Sequence, residues 1–463
     1  MTPRVIVVGA GVAGLATAYR LLRREPALDL LVLEADAHLG GRLRAVAVDD
    51  LELEAGPDAF VARKPWAAEL CRELGIGLEA PGASGAYAWT ERGLAPLPPT
   101  ALGVPASVDD LARWAGLSRA GRVRAMADLV RKPRPADGEE SLGSLLRRRL
   151  GDEATDALVA PLLGGLFAGD VDRLGASATF PELPRWERER GSLIRGARAA
   201  LAAGRDAGPM FLRPSGGMSS LPRALAEAIG WDRLRPSHPA TSVAAAGGLV
   251  VEVGEEELPA SAVVLATPAS VSADLLAWSA PDVSRVLAEI AYVSTAVVLL
   301  VYPPGTEEVL PEATGFVVPS GRAPMTAATF VSRKWPSPAF GDRAVLRCFV
   351  GAAGTEDVLE AGDDEIVAAV CRHLAALLPL PERAETASAV VRWPRSMPQY
   401  EVGHLERVSA IATGLPPGIF VVGNAYGGVG IADTVRGVNE TAERVLAHLA
   451  GATSEPQRTE RVR

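Results

Sequence analysis

A chain of 463 residues is too long for one ordinary core, so two or three domains are expected, each burying a substantial interior. The formal charge of −9 argues against a nucleic-acid partner, because "RRRL" at 147–150 and "RWERERG" at 185–191 are short or interleaved with acids and read as solvated helix faces. Cys71, Cys348 and Cys371 stand far apart without a CxxC pair, which argues against a disulfide framework or a zinc knuckle and for a reducing compartment.

In chain order, "RVIVVGAGVAGLATAYRLLRR" reads as a buried strand, a glycine turn and an amphipathic helix, and "LDLLVLEAD" as the second strand of a βαβ unit. From about Arg92 to Arg205 the texture turns to Ala, Leu, Arg and Glu at helical spacing, an inserted helical domain. "FLRPSGGMSSLPRALAEAI" gives a glycine turn and a helix, and "TSVAAAGGLVVEVGEEELPASAVVLATPA" an antiparallel ribbon ending in a buried strand. "AYVSTAVVLLVY", "TGFVVP", "AATFV" and "AVLRCFV" read as strands of a mixed sheet, with a helix near "DDEIVAAVCRHLAALL". "FVVGNAYGGVGIADTVRGVNETAERVL" repeats the order strand, glycine burst, helix at the far end, and the polar tail 451–463 is expected to be disordered. The longest apolar run is far too short to span a bilayer and no basic leader is seen, so a cytoplasmic protein without membrane association is expected. "LARWAGLSRAGRVRAMADLVRK" reads either as an interfacial helix pair or as helices buried in their own domain.

Gly9, Gly11 and Gly14 form GxGxxG after a strand and at a helix opening, the setting in which the motif holds a dinucleotide pyrophosphate. Glu34 closes the second strand, where an acid would bond a ribose hydroxyl. Gly40, Gly41 and Arg42 follow; on the residues alone they could be a plain turn with a solvated cation.

That Gly-Gly-Arg turn resembles the second motif of the FAD-dependent amine oxidase and desaturase superfamily. The resemblance implies an α/β fold: a discontinuous Rossmann-like FAD-binding domain (1–70, 205–275, 395–450), a mixed-sheet substrate domain (71–91, 276–394) and a helical insertion (92–204). It implies that Gly41 and Arg42 lie along the phosphates, that Val243 meets the adenine, and that Gly428, Val429, Gly430 and Ile431 return to the same FAD. No cysteine lies near that last loop, so the FAD is expected to be noncovalent.

"ELEAGPDAFVARKP", "GGLFAGDVDRLGASATFPEL", "RWPRSMPQYEVGHLERV" and "GNAYGGVGIADTVRG" narrow the resemblance to the porphyrinogen oxidases of haem biosynthesis, from Arg4 to about Leu449. This implies a six-electron oxidation of a porphyrinogen in which flavin N5 takes hydride, dioxygen is reduced to hydrogen peroxide, and no protein side chain need be catalytic. It places Gly164 and Gly165 where backbone carbonyls accept pyrrole N–H groups, and Val317 and Phe330 against the macrocycle; a helix break and ordinary core residues would look the same. Plant-type relatives carry an Arg where this chain has Ala86, so Arg63 and Lys64 become the candidates for a substrate carboxylate, although "RKP" also suits an exposed turn. His404 is read as a structural hydrogen bonder, and the histidines show no metal-ligand spacing. Coproporphyrinogen III is the expected substrate, with protoporphyrinogen IX as runner-up and a ferrochelatase as a candidate partner. An amine oxidase, a carotenoid desaturase or a non-catalytic flavoprotein on the same fold remain the alternatives.

Overall fold

Val5, Ile6, Val7 and Val8 are β-branched and buried on both faces, which makes Arg4–Val8 the central strand of a parallel sheet. The order is Leu234–Arg235, Asp29–Leu33, Arg4–Val8, Ala262–Leu265, Ile419–Val421, with every neighbouring pair parallel. The computed structural model describes residues 3–134, 138–204, 208–319, 321–381 and 386–454, so this one sheet gathers strands from nearly the whole chain. The first helix, Val12–Arg24, lies beside the last, Ile431–Ser454. Leu15 and Ala18 share an apolar cluster with Val435, Val438 and Ala442, and Arg20 Nε donates to Asn439 Oδ1 at 2.9 Å. The far end of the chain is thereby fixed against its beginning. The closing helix continues through Ser454, where disorder was expected from 451; residues 455–463 of that tail lie outside the described residues.

The other face of the sheet carries an antiparallel ribbon of Ser242–Ala244, Leu249–Val253 and Glu256–Ala260, as the alternation predicts. Helices Ala269–Leu275 and Pro281–Ala288 also belong here, since Leu275, Val283 and Leu287 pack with Ile6, Val8 and Leu33. The expected boundary at 276 is therefore moved past 288, because the apolar faces of these helices pack into the core beneath the parallel sheet.

A second sheet has seven strands in the order Ala387–Pro398, Tyr292–Val301, Val345–Val350, Met325–Phe330, Gly315–Val317, Tyr87–Thr90, Gly93–Pro96. It is mixed because Gly315–Val317 runs parallel to Tyr87–Thr90 while the other neighbours are antiparallel. Gly93–Pro96 belongs to this sheet, so the helical region starts beyond it and not at 92. Helix Asp363–Leu377 covers one face through Ile366, Val370 and Leu374.

The helical region is organised around Arg149, which is fully buried and not the solvated residue that "RRRL" suggested. Along Leu142–Leu150 the apolar positions Leu142, Leu145 and Leu146 put residue 149 on the buried face of the helix. Arg149 Nε donates to Asp128 Oδ1 at 2.5 Å, and its Nη2 donates to the carbonyls of Asp128 and Gly191, both at 2.7 Å. Asp128 Oδ2 accepts in turn from Ser192 Oγ and the Ile194 amide, at 2.5 and 2.9 Å. A π turn at Thr155–Val159 then leads into helix Ala160–Phe167, which packs over the 315–317 and 325–330 strands.

Because removing one partner strands a buried charge, Arg149→Met is expected to lower unfolding free energy by about 3–5 kcal/mol, read as a fall in the urea midpoint. A loss below about 1 kcal/mol, the worth of an exposed pair, would contradict this role.

Candidate active site

The three glycines of the first turn do different work. Gly9 has φ +102° and donates its amide to the Leu33 carbonyl at 2.7 Å, which ties the ends of the first two strands. A Cβ on Gly14 would lie 1.8 Å from the Gly9 carbonyl oxygen, so that position serves close packing of helix on strand. Gly11 has an ordinary φ of −68°, yet nothing lies within 4 Å of where its Cβ would stand. The space above it is open.

The second turn sits on the first. The Gly40 amide donates to the Ala10 carbonyl at 2.8 Å, and a Cβ on Gly41 (φ +57°) would come 3.2 Å from Gly11 Cα. Glu34 Oε2 accepts from the Ala10 amide at 2.6 Å and Oε1 from the Asp36 amide at 2.9 Å, which holds the carboxylate at the strand end. Arg42 is pushed below its ordinary pKa by burial and has no hydrogen bond or ion pair among the described residues. Val243 packs beside Val8 and Leu33, at the same end of the sheet.

The C-terminal loop reaches this place as well. Ile431 and Ala432 share a cluster with Ala10, Ala13 and Leu43, and Gly428 adopts φ +128°. The Gly430 carbonyl accepts from the Thr434 amide at 2.9 Å, opening the last helix. Open space over Gly11, a half-buried guanidinium without a hydrogen bond or ion pair among the described residues, and helix openings at Val12 and Ile431 fit the phosphates of a dinucleotide.

On the substrate side, Gly164 and Gly165 sit in the last turns of helix Ala160–Phe167. The buried Gly164 carbonyl accepts from both Gly169 N, at 3.0 Å, and Ala168 N, whereas the Gly165 carbonyl accepts only from Ala168 N at 3.4 Å and keeps a lone pair. Gly165 is exposed with nothing within 4 Å of a built Cβ. Val317 and Val429 both pack on the cluster that contains Leu163, Phe167 and Tyr400, so the second sheet, the cofactor loop and this helix meet there.

Three expectations are corrected. Phe330 is 0% exposed and packs with Phe316, on the sheet face covered by helix Asp363–Leu377, so it lines no open space. Lys64 is held by Asp433, with Nζ 2.6 and 2.8 Å from the two carboxylate oxygens, and Arg63 leans on the Gly204 carbonyl at 3.4 Å. The pair therefore braces the closing helix and the end of the helical insertion. His404 is 0% exposed and stacks on Tyr400 with centroids 3.9 Å apart, and neither ring nitrogen makes a hydrogen bond of standard geometry. Burial pushes its pKa down to about 4, Arg407 adds to this, and the Ala425 carbonyl offsets it in part.

Sequence reasoning missed Asp58, although it sits in the quoted "GPDAF". Its carboxylate contacts Lys334 Nζ at 2.9 Å, Trp335 Nε1 at 3.0 Å and Arg347 Nη2 at 3.5 Å. Burial opposes the charge, but Arg347 and Lys334 overcome it and hold Asp58 well below the usual carboxylate range. A lone acid between apolar neighbours was the only signal.

Residues 12–446 match the model of a family described as flavin containing amine oxidoreductase. The chain is 31% identical to coproporphyrinogen III oxidase of Bacillus subtilis, over 93% of this chain and 95% of that protein. It is 28% identical to the chloroplastic protoporphyrinogen oxidase 1 of Arabidopsis thaliana, over 96% and 88%. A solved structure from Exiguobacterium sp., named as a protoporphyrinogen oxidase, superposes with a TM-score of 0.85 at 29% identity, covering 97% of this chain and 99% of that one.

Gly11→Val is expected to abolish flavin retention while leaving the melting temperature of the flavin-free protein within a few degrees, because its side chain enters only ligand space. Gly14→Val should fail to fold. Equal destabilisation by the two would show that Gly11 faces protein. His404 gives a pH dependence: it stays neutral in the folded state down to about 4, while the unfolded chain takes up a proton near 6.5. Stability should fall as pH drops from 6.5 to 5, by up to about 2 kcal/mol from this residue. His404→Phe should flatten that slope in urea titrations; an unchanged slope would assign it elsewhere.

Proposed function

The chain belongs to the flavin-containing amine oxidoreductase family, and from that premise we propose that it oxidises coproporphyrinogen III to coproporphyrin III. The observation that supports this most is the shared cluster of Val429, Val317 and the end of helix Ala160–Phe167, which brings apolar side chains of the second sheet and the helical region beside the cofactor loop. A bound FAD would supply the redox chemistry, taking the six electrons in pairs and passing them to dioxygen with release of hydrogen peroxide.

The chain's own part is to bind, orient and shield. Gly11, Gly41 and Arg42 would hold the phosphates over a turn that Gly9 shapes, with Glu34 at the ribose, Val243 at the adenine end, and Gly428 to Ile431 at the flavin end. The free lone pair of Gly165 would accept a pyrrole N–H group, with Val317 against the ring, while the doubly bonded carbonyl of Gly164 shapes the turn that presents it. No side chain is assigned as general base: His404 is sealed and held below the usual imidazole range by burial, and no group of three or more potential metal-ligating side chains occurs among the described residues. Pyrrole protons leave to water as conjugation grows.

Coproporphyrinogen III is preferred to protoporphyrinogen IX because its name is carried by the Bacillus subtilis relative and because the plant-type arginine is replaced by Ala86. Among the described residues no helix is long and apolar enough to cross a membrane, which suits a tetra-anionic, water-soluble substrate. A ferrochelatase is the proposed recipient of the product.

Side-by-side kcat/KM values should favour coproporphyrinogen III; a clear preference for protoporphyrinogen IX would overturn the substrate assignment. Lys64→Ala should weaken flavin retention by releasing Asp433 and leave the porphyrinogen KM nearly unchanged. A raised KM with normal flavin content would return Lys64 to the substrate.

A further inference from the structure

Gln399 and Tyr400 are neighbours in sequence, are 5% and 2% exposed, and reach in two directions. Gln399 Nε2 donates to the Phe167 carbonyl at 2.9 Å, an acceptor left free where helix Ala160–Phe167 ends in the left-handed Ala168 (φ 48°). Gln399 Oε1 fills the place that a Cβ on Gly169 would take, 2.4 Å away. The Tyr400 hydroxyl donates to the Asn424 carbonyl at 2.7 Å and accepts from the Gly428 amide at 2.8 Å, so one phenol spans the whole C-terminal glycine loop. Its ring lies 5.4 Å from that of Phe167 and is backed by His404 at 3.9 Å. The Tyr400 carbonyl accepts from the Gly175 amide at 2.7 Å, which pins the same backbone to the helical region.

We propose that Gln399 and Tyr400 form a positioning brace that couples occupancy of the flavin site to occupancy of the porphyrin site. This rests on the function proposed above. A shift of the 424–428 loop must carry the phenol with it. Tyr400 and Gln399 share one peptide, so the Phe167 carbonyl and the Gly164–Gly165 turn follow. His404 stacks on the phenol ring and so moves with it. Linkage then requires each ligand to strengthen the other by the same factor.

The test uses the holoenzyme and its product, coproporphyrin III. Flavin dissociation constants are measured from free-flavin fluorescence on dilution, with and without saturating porphyrin. In the unaltered protein, porphyrin should tighten flavin by about fivefold or more. Tyr400→Phe, which loses two hydrogen bonds across the loop, should weaken flavin by about tenfold and bring the ratio close to one. Gln399→Leu should leave the porphyrin-free constant within about twofold and also bring the ratio close to one. A mere packing role would not move that ratio. Retention of the full ratio in both variants, or a ratio of one in the unaltered protein, would overturn the brace while leaving the oxidase standing. An unaltered protein that holds no flavin or binds no porphyrin would overturn the oxidase, and the brace with it.

Discussion

A dinucleotide pyrophosphate needs bare backbone amides and tolerates no side chain above them, and that requirement organises this molecule. On the proposed cofactor site, it accounts for a glycine at position 11 despite ordinary dihedrals and vacant space. It also explains the joining of distant segments: Gly40 and Gly41 rest on the 10–11 turn, and the closing helix lies along the first so that its glycine loop opens on the same ground. Neither loop could close on a long ligand alone.

Around that groove the fold separates tasks. The parallel sheet supplies strand ends, the seven-stranded sheet supplies a wall, and the helical region contributes one short helix through which the three share a core. Asp58 ties the segment after the second glycine turn to Lys334, Trp335 and Arg347 of the second unit, and Lys64 ties the same stretch to the closing helix. The buried Asp58 pairs contribute less net stability than their Coulomb energy suggests, but an unpaired member is expensive, whereas the Lys64 pair is partly exposed and worth less.

The glycine motifs, the βαβ unit, the ribbon and the helical insertion were legible because local pattern and backbone need coincide there. Side-chain direction was not. Val317 and Phe330 both sit on adjacent strands, but Phe330 falls on the covered face, and pairing register decides that outcome. Arg63 and Lys64 looked free because their partners, at Gly204 and Asp433, are remote in sequence. Arg149 looked solvated for the same reason, and His404 owes its neutrality first to burial, which its own sequence segment does not reveal, and then to Arg407.

The central claim is that a flavin bound across both glycine loops receives electrons from a porphyrinogen. Anaerobic mixing of the purified yellow protein with coproporphyrinogen III addresses it most directly. The account predicts bleaching of the flavin absorbance on mixing, then its recovery on admission of air together with porphyrin fluorescence. A flavin that stays oxidised in the presence of excess porphyrinogen, or a protein that folds without retaining flavin, would contradict it.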